Sequence, residues 1–103
     1  MIRHLVGLRF KPETSAATKQ ALYDDLAMLN QRIDGILDFQ ARPNVSVEDP
    51  LVRDFRDVFW FDFRDTNVRD IYLNDEVHQS IGARIVAELD GGADGVFVFD
   101  FEV

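Results

Sequence analysis

Three residues of this chain, His4, Tyr72 and His78, have side chains suited to acid–base chemistry. A tyrosine supplies a hydroxyl donor, and a histidine is a base that works near neutral pH. Two histidines without a matching carboxylate pattern do not predict a metal site, and the chain has neither a phosphate-binding glycine loop nor a nucleophile elbow. We therefore expect chemistry without a metal or a cofactor, with Tyr72 and His78 as the catalytic candidates.

The spacing of Tyr72 and His78 requires a break in the helix that carries them. On an unbroken α-helix, six positions rotate the second side chain by about 240° from the first, so the two would not share a face. Asn74 is a favourable N-cap residue, and Asp75 and Glu76 suit the positive end of a new helix. We expect Tyr72 to close a short helix and His78 to open a longer one, which would aim both at one pocket. The alternative is that Tyr72 packs in the helix face while His78 is partly exposed.

His4 shares a strand face with Val6, Leu8 and Phe10, in a segment that alternates with period two. If that face meets the helices, His4 lies at the rim of the core. It would then line a cavity between sheet and helices and contact a substrate. The alternative is a strand-end histidine that is hydrogen-bonded to a neighbour, and the sequence favours neither.

The elements that position these residues follow the order β-α-β-β-α-β. All nine phenylalanines fall within four short runs of strand character, which are Ile2–Phe10, Ile36–Arg42, Phe55–Phe63 and Gly95–Val103. Apolar residues recur at helical spacing between the first and second runs, and again between the third and fourth. This order predicts a ferredoxin-like α+β fold with an antiparallel sheet, formed as one domain over residues 1–103.

Polar residues mark the ends of these elements. Thr14 or Ser15 can cap the first helix, and Thr66 can cap the second helical region. The connection from Pro43 to Val52 is polar and contains a further proline, so we predict a long surface loop between the second and third strands.

Two helices can cover only one face of a four-stranded sheet, and in this connectivity both crossovers lie on the same side. The other face carries Leu5, Val58 and Trp60, together with charged residues such as Arg3 and Asp62. An apolar sheet face left in water marks an interaction surface. We favour a homodimer in which two sheets face each other with ion pairs between them. The alternative is a half-solvated sheet with scattered apolar residues.

Composition narrows the partners. Eleven basic and nineteen acidic residues give a formal charge of −8, which repels phosphate backbones and anionic lipid heads. We therefore expect neither nucleic acid nor a membrane as partner. The chain has no cysteine, no apolar stretch near the roughly 20 residues of a membrane helix, and no signal-peptide pattern at its N-terminus. These features favour a soluble, cytoplasmic protein.

Four segments resemble those of a known family, the stress-responsive A/B barrel or Dabb domain. They are Ile2–Lys11, Pro43–Ser46, Tyr72–Gln79 and Phe99–Glu102, and together they extend nearly from end to end of the chain. Each segment alone has low specificity for the family, but the order and spacing of the four together are fairly specific. The resemblance implies a ferredoxin-like domain that dimerises through its sheets into an α/β barrel.

The family also implies a chemistry. One plant member carries out an aldol-type cyclisation of a linear polyketide, with a tyrosine and a histidine at the positions of Tyr72 and His78. A first-strand histidine like His4 lines the same cavity there. By analogy, His78 would remove a proton next to a carbonyl and Tyr72 would hydrogen-bond the oxygen. Many members have a His-Pro pair where this chain has Asn74-Asp75, so the polarity around the helix restart differs.

Three functions follow from these observations. The first is a cofactor-free enzyme that uses the Tyr72–His78 pair on a ketone or polyketide-like substrate, in a cavity suited to a small apolar or aromatic ligand. The second is a non-catalytic stress-related or ligand-binding dimer, in which Tyr72 and His78 have no chemical role. The third is a cofactor-free oxygenase, which oxygen consumption with a quinol would distinguish from the first.

Overall fold

The computed structural model describes residues 1–103 and contains four strands and four helices. The strands are β1 (Ile2–Leu8), β2 (Ile36–Pro43), β3 (Asp57–Phe63) and β4 (Val96–Glu102). The helices are α1 (Ala16–Ala27), α2 (Asp49–Val52), α3 (Thr66–Asn74) and α4 (Glu76–Ala87). Two 3₁₀ turns, Met28–Gln31 and Gly92–Gly95, follow α1 and precede β4.

The four strands form one antiparallel sheet in the order β2-β3-β1-β4. This order and the β-α-β-β-α-β succession confirm the predicted ferredoxin-like fold. The first and last strands in the sequence, β1 and β4, are neighbours in the sheet, where β1 is central and β4 is an edge strand. None of the helices is both long and apolar enough to cross a membrane.

The strand limits differ from the predicted ones at several ends. β1 stops at Leu8, and Phe10 makes only an isolated bridge to Leu89. The connection after β2 is not a plain loop, because it contains the short helix α2. Arg53 and Asp54 then take left-handed backbone angles, with φ of 54° and 64°, and this turn delays β3 until Asp57.

One of the predicted helix caps is confirmed and one is wrong. The Ser15 hydroxyl accepts the Thr18 backbone N–H and caps α1. Thr66 does not cap α3, because it is already the first helical residue. The carboxylate of Asp65 accepts the Val68 N–H at 3.0 Å instead.

The core lies between the sheet and the helices. Alternate residues of β1 and β3 face inward, as period two requires, and meet the apolar stripe of the helices. Fully buried side chains include Leu8, Leu26, Phe61, Phe63 and Tyr72, all at 1% exposure or less. Phe61 and Phe63 stack with ring centroids 5.5 Å apart, and Tyr72 packs on both. Through this aromatic cluster, α3 packs against the inner face of the sheet.

The opposite face of the sheet has no helix over it. Strand pairing sets Phe99 beside Leu5 and Phe97 beside Gly7, so the phenylalanines of β4 lie on this open face together with Trp60 of β3. Phe99 keeps 62% of its surface exposed. Beside these rings, the Arg3 guanidinium donates two hydrogen bonds to the Asp62 carboxylate, at 2.9 and 3.1 Å. The open face is thus apolar with an ion pair inside it.

Candidate acid–base site

A break between α3 and α4 brings Tyr72 and His78 together. Asp75 has extended backbone angles, φ −73° and ψ 128°, so it ends one helix and starts the next. Its carboxylate accepts the backbone N–H of His78 at 3.0 Å and a hydrogen bond from Arg32 Nε at 2.7 Å. Tyr72 lies in the last turn of α3 and His78 in the first turn of α4. Their ring centroids are 3.8 Å apart, with 31° between the planes.

We expected Asn74 to cap α4, but the residue that caps it is Asp75. Asn74 remains in α3, where its side-chain amide donates to the backbone carbonyl of Asp70 at 2.9 Å. Both residue types are good caps, and the amide of Asn74 is already engaged by the preceding turn. The break itself falls between Tyr72 and His78, where the spacing required it.

His4 faces the helices from β1 and is 5% exposed. Its ring lies edge-on to Tyr72 with centroids 5.5 Å apart. His4 Nδ1 is 2.6 Å from Oδ1 of Asp100, and the second oxygen of that carboxylate accepts from Arg69 at 3.3 Å. The two alternatives for His4 are therefore compatible, since it is hydrogen-bonded to a neighbouring strand and also borders a cavity.

The cavity has a volume of about 200 Å³ and lies between β1, β4 and the helices. His4, Tyr72 and His78 are the polar members of its wall. Apart from Gly82, the remaining lining side chains are aliphatic or aromatic, among them Val6 and Phe59. The volume is below the roughly 300–1,000 Å³ of pockets for drug-sized ligands, so the cavity suits a smaller molecule.

A larger groove of about 830 Å³ lies elsewhere, between the open sheet face and the connection from β2 to β3. Neither a histidine nor a tyrosine lines it, and its acidic groups are Asp57 and Asp94. No cluster of three or more histidine, aspartate or glutamate side chains is arranged to hold a metal ion. The acid–base candidates therefore all meet at the smaller cavity.

Burial controls the protonation of the Tyr72–His78 pair. It lowers the pKa of His78, the nearby His4 lowers it further, and the Tyr72 carbonyl and Asp75 offset only part of the shift. Burial also raises the pKa of the Tyr72 hydroxyl well above its usual range. At neutral pH the pair is therefore a neutral imidazole beside a neutral phenol, that is, an acceptor beside a donor. His78 Nδ1 is buried without a hydrogen-bond partner.

Two groups of the site were not singled out in the sequence. Asp100 and Arg69 are distant from His4 along the chain. The pairing of β1 with β4 sets Asp100 opposite His4, and Arg69 reaches the site through its hydrogen bond to Asp100. The signal that could have found Asp100 is parity, because it falls on the same strand face as Val96 and Val98. Gly82 lies four residues after His78, which is the spacing of one helix face.

The chain matches the family model described as the Stress responsive A/B Barrel Domain, Dabb, over residues 2–103. It belongs to the Dabb family. The family resemblance inferred from the four sequence segments is thereby confirmed. No curated protein matches this Dabb chain.

Several solved structures are similar to this Dabb domain. A dimeric ferredoxin-like protein of unknown function from Jannaschia sp. CCS1 is 29% identical, over 99% of this chain and 98% of its own, with a TM-score of 0.87. A hydroxynitrile lyase from Passiflora edulis is 11% identical, over 99% and 92%, with a TM-score of 0.78. An antibiotic biosynthesis monooxygenase is 16% identical, over 100% and 98%, with a TM-score of 0.72. The last two similarities show the fold alone.

The cap at Asp75 gives a prediction on stability and its pH dependence. Asp75→Ala should lower the free energy of unfolding by about 0.5–2 kcal/mol, because α4 loses its N-cap. Asp75→Asn retains a capping side chain and is the matched control, so it should lose less. Chemical denaturation followed by circular dichroism measures both.

The charge of Asp75 should appear in the same experiment at low pH. Burial alone would raise its pKa, but the His78 N–H and Arg32 together hold the pKa below its ordinary value of 3.8. A depressed carboxyl pKa contributes stability above the unfolded value and loses it as pH falls through the folded value. The advantage of the wild type over Asp75→Asn should therefore be complete at neutral pH, begin to fall near the unfolded value of about 4, and be lost only below the depressed folded pKa. An advantage that grows on acidification would contradict this assignment.

The hydrogen bond between His4 and Asp100 predicts a single tautomer. When His4 is neutral, Nδ1 should carry the proton and Nε2 should be the bare acceptor, because a carboxylate can only accept. Long-range nitrogen–proton correlation in NMR reports which nitrogen is protonated. Asp100→Asn should give a mixture of tautomers, whereas Glu102→Gln, on the same face of β4, should leave the His4 signals unchanged. A wild-type His4 with its proton on Nε2 would refute this arrangement.

Proposed function

We propose that this Dabb domain is a cofactor-free acid–base catalyst that acts on a small ketone or polyketide-like molecule. The observation that carries the proposal is the placement of the Tyr72 and His78 rings, 3.8 Å apart, at the wall of a cavity whose other lining residues, except His4, are apolar. A base and a hydroxyl donor side by side in a mainly apolar site are what proton removal next to a carbonyl needs.

In the proposed reaction, His78 is the general base. Its lowered pKa keeps the imidazole unprotonated at neutral pH, so a ring nitrogen can accept a proton from the carbon beside the carbonyl. As the N–H bond to His78 forms, the C–H bond breaks and its electron pair becomes the carbon–carbon double bond of the enolate, while the C=O π pair moves onto the oxygen, which takes the negative charge. The imidazolium and the enolate then neutralise each other within the cavity, which lowers the cost of charging a partly buried histidine.

Tyr72 stabilises the developing charge. Its raised pKa keeps the phenol protonated, so it donates a hydrogen bond to the enolate oxygen and does not compete with His78 as a base. A donor held in place by packing needs no reorganisation as charge develops, and the surrounding apolar side chains strengthen the interaction. Tyr72 is held by Phe61 and Phe63 beneath it.

We assign substrate binding to His4. Its Nδ1 is committed to Asp100, which leaves Nε2 as the ring nitrogen that a ligand can reach. An acceptor at that point would bind a hydroxyl or enol group of the substrate. Arg69 holds the other oxygen of Asp100 and keeps the carboxylate oriented toward His4.

We further propose that the protein acts as a homodimer through the open sheet face. Leu5, Trp60 and Phe99 on this face are apolar. The Arg3–Asp62 ion pair adds polar groups that could fix the relative position of two copies. The Jannaschia protein with the same fold is described as dimeric. Exposed apolar area of this kind is typical of a self-association surface.

Sedimentation equilibrium tests the dimer. The wild type should have the mass of two chains, and Phe99→Asp should shift it toward one by placing unpaired charge in the apolar interface. Ile71→Asp is the matched control, since Ile71 is 57% exposed but lies on α3, in the layer opposite the open face. A monomeric wild type, or equal effects of the two variants, would favour the half-solvated sheet instead.

Deuterium exchange tests the acid–base chemistry without the natural substrate. We use acetophenone in D₂O and follow loss of the methyl proton signal by NMR. The wild type should accelerate exchange above buffer, and His78→Ala should return it to the buffer rate. Tyr72→Phe keeps the packed ring and should slow exchange about 10²–10³-fold, the cost of one lost oxyanion donor. Ser80→Ala, an exposed neighbour on α4, should leave the rate unchanged.

The outcome separates the candidate functions. If acetophenone binds beside Tyr72 and His78 but no exchange is accelerated, the non-catalytic ligand-binding role replaces the enzyme. The similarity to the antibiotic biosynthesis monooxygenase is one of fold, so the oxygenase stays a prediction for oxygen-consumption measurements.

A further inference from the structure

Gly82 is an unusual residue for its place in the fold. It lies within α4, one turn after His78, and it lines the cavity. A Cβ atom built on its backbone would meet nothing within 4 Å. A glycine inside a helix weakens that helix relative to alanine, since it loses more backbone freedom on folding.

Neither backbone conformation nor crowding requires glycine at this position. Gly35 is different, because its φ of +96° is left-handed and a Cβ there would press on Val68. Gly95 is different as well, because a Cβ would come within 2.8 Å of the Asp90 carbonyl. At Gly82 a Cβ would enter open space, and the residue lines the same cavity as Tyr72 and His78.

We propose that Gly82 determines ligand specificity by forming an apolar subsite one helical turn from His78, which takes the aryl or short alkyl substituent of a carbonyl compound. Residues four apart on a helix lie on the same face, separated by about 6 Å along the axis. A carbonyl at Tyr72 and His78 would therefore place its substituent over the Gly82 backbone. This inference rests on the proposed function, because it takes the carbonyl position from that pair.

The surroundings of Gly82 fit an uncharged substituent. Ile85 and Leu89 of the helical layer and Val96 of β4 border the same space, and no aspartate, glutamate, lysine or arginine lines the cavity. Val86 and Val98 keep 36% and 53% of their surfaces exposed, so the subsite opens to solvent between α4 and β4. A single ring or a short chain can enter there, and the volume of about 200 Å³ leaves no room for a long one.

A matched pair of leucine variants tests the subsite. Gly82→Leu places a side chain in the cavity, whereas Ala83→Leu adds the same group at the next residue of α4, which is exposed. NMR titrations with acetophenone measure affinity, and acetone serves as a probe with the carbonyl but no ring. Gly82→Leu should weaken acetophenone binding at least tenfold and leave the acetone-induced shifts at Tyr72 and His78 in place. Ala83→Leu should change neither.

Thermal unfolding provides a readout that needs no ligand. Gly82→Ala removes the helix penalty without a clash, so its melting temperature should rise by about 4–8 °C. It should also weaken acetophenone binding a few-fold, which covers the case in which the leucine variant fails to fold. A fall in melting temperature for Gly82→Ala would mean that the space is filled in solution, and it would overturn the inference.

The remaining outcomes separate this inference from the proposed function. Acetophenone binding at Tyr72 and His78 that is equal in the wild type, Gly82→Ala and Gly82→Leu would refute the subsite and leave the acid–base proposal standing. Binding that depends on Gly82, with no acceleration of deuterium exchange, would support the subsite and refute catalysis. A wild type that binds no acetophenone would overturn both.

Discussion

The hydrogen bond from the His78 backbone to the Asp75 carboxylate is the interaction on which the site depends. Without a helix break, Tyr72 and His78 would point about 120° apart around the helix axis, and they would not share a face. Asp75 supplies the break and restarts the helix in the same step, because its extended backbone ends α3 while its side chain caps α4. Arg32, which follows the first 3₁₀ turn, donates a hydrogen bond to the same carboxylate and connects the helix break to the end of the α1 segment. The backbone and the side chain of Asp75 together therefore set the relative positions of Tyr72 and His78.

The other half of the constraint is the aromatic cluster beneath Tyr72. Phe61 and Phe63 hold the Tyr72 ring by packing alone, and burial keeps its hydroxyl protonated. His78 is stacked on that ring, and its Nδ1 is buried without a hydrogen-bond partner in the protein. An unsatisfied buried polar group is uncommon in proteins, and functional sites are one place where such groups occur. The aromatic packing therefore stabilises an arrangement that the polar atoms alone would not favour.

Much of the fold could be predicted from the sequence, since strand alternation and helical spacing are local signals. The helix break could be predicted too, because the chemistry of Asn74, Asp75 and Glu76 is readable without the structure. The capping residue could not, since Asn74 and Asp75 are equally good caps by residue type, and only the structure shows Asn74 still helical in α3 and Asp75 extended. The partnership of His4 with Asp100 depends on strand register across the whole chain. Register is set by tertiary packing, and no local pattern contains it.

Strand β1 joins the two proposed roles of the sheet. His4 and Val6 project toward the helices and the cavity, whereas Leu5 and Gly7 between them project to the open face. Because side chains alternate strictly, a slip of one residue in β1 would exchange the two sets, placing a histidine on the association surface and Leu5 in the cavity. The pairing of β1 with β3 and β4 on both sides prevents that slip. The same ladder that holds the sheet together therefore keeps the proposed acid–base site and the proposed association surface on opposite faces.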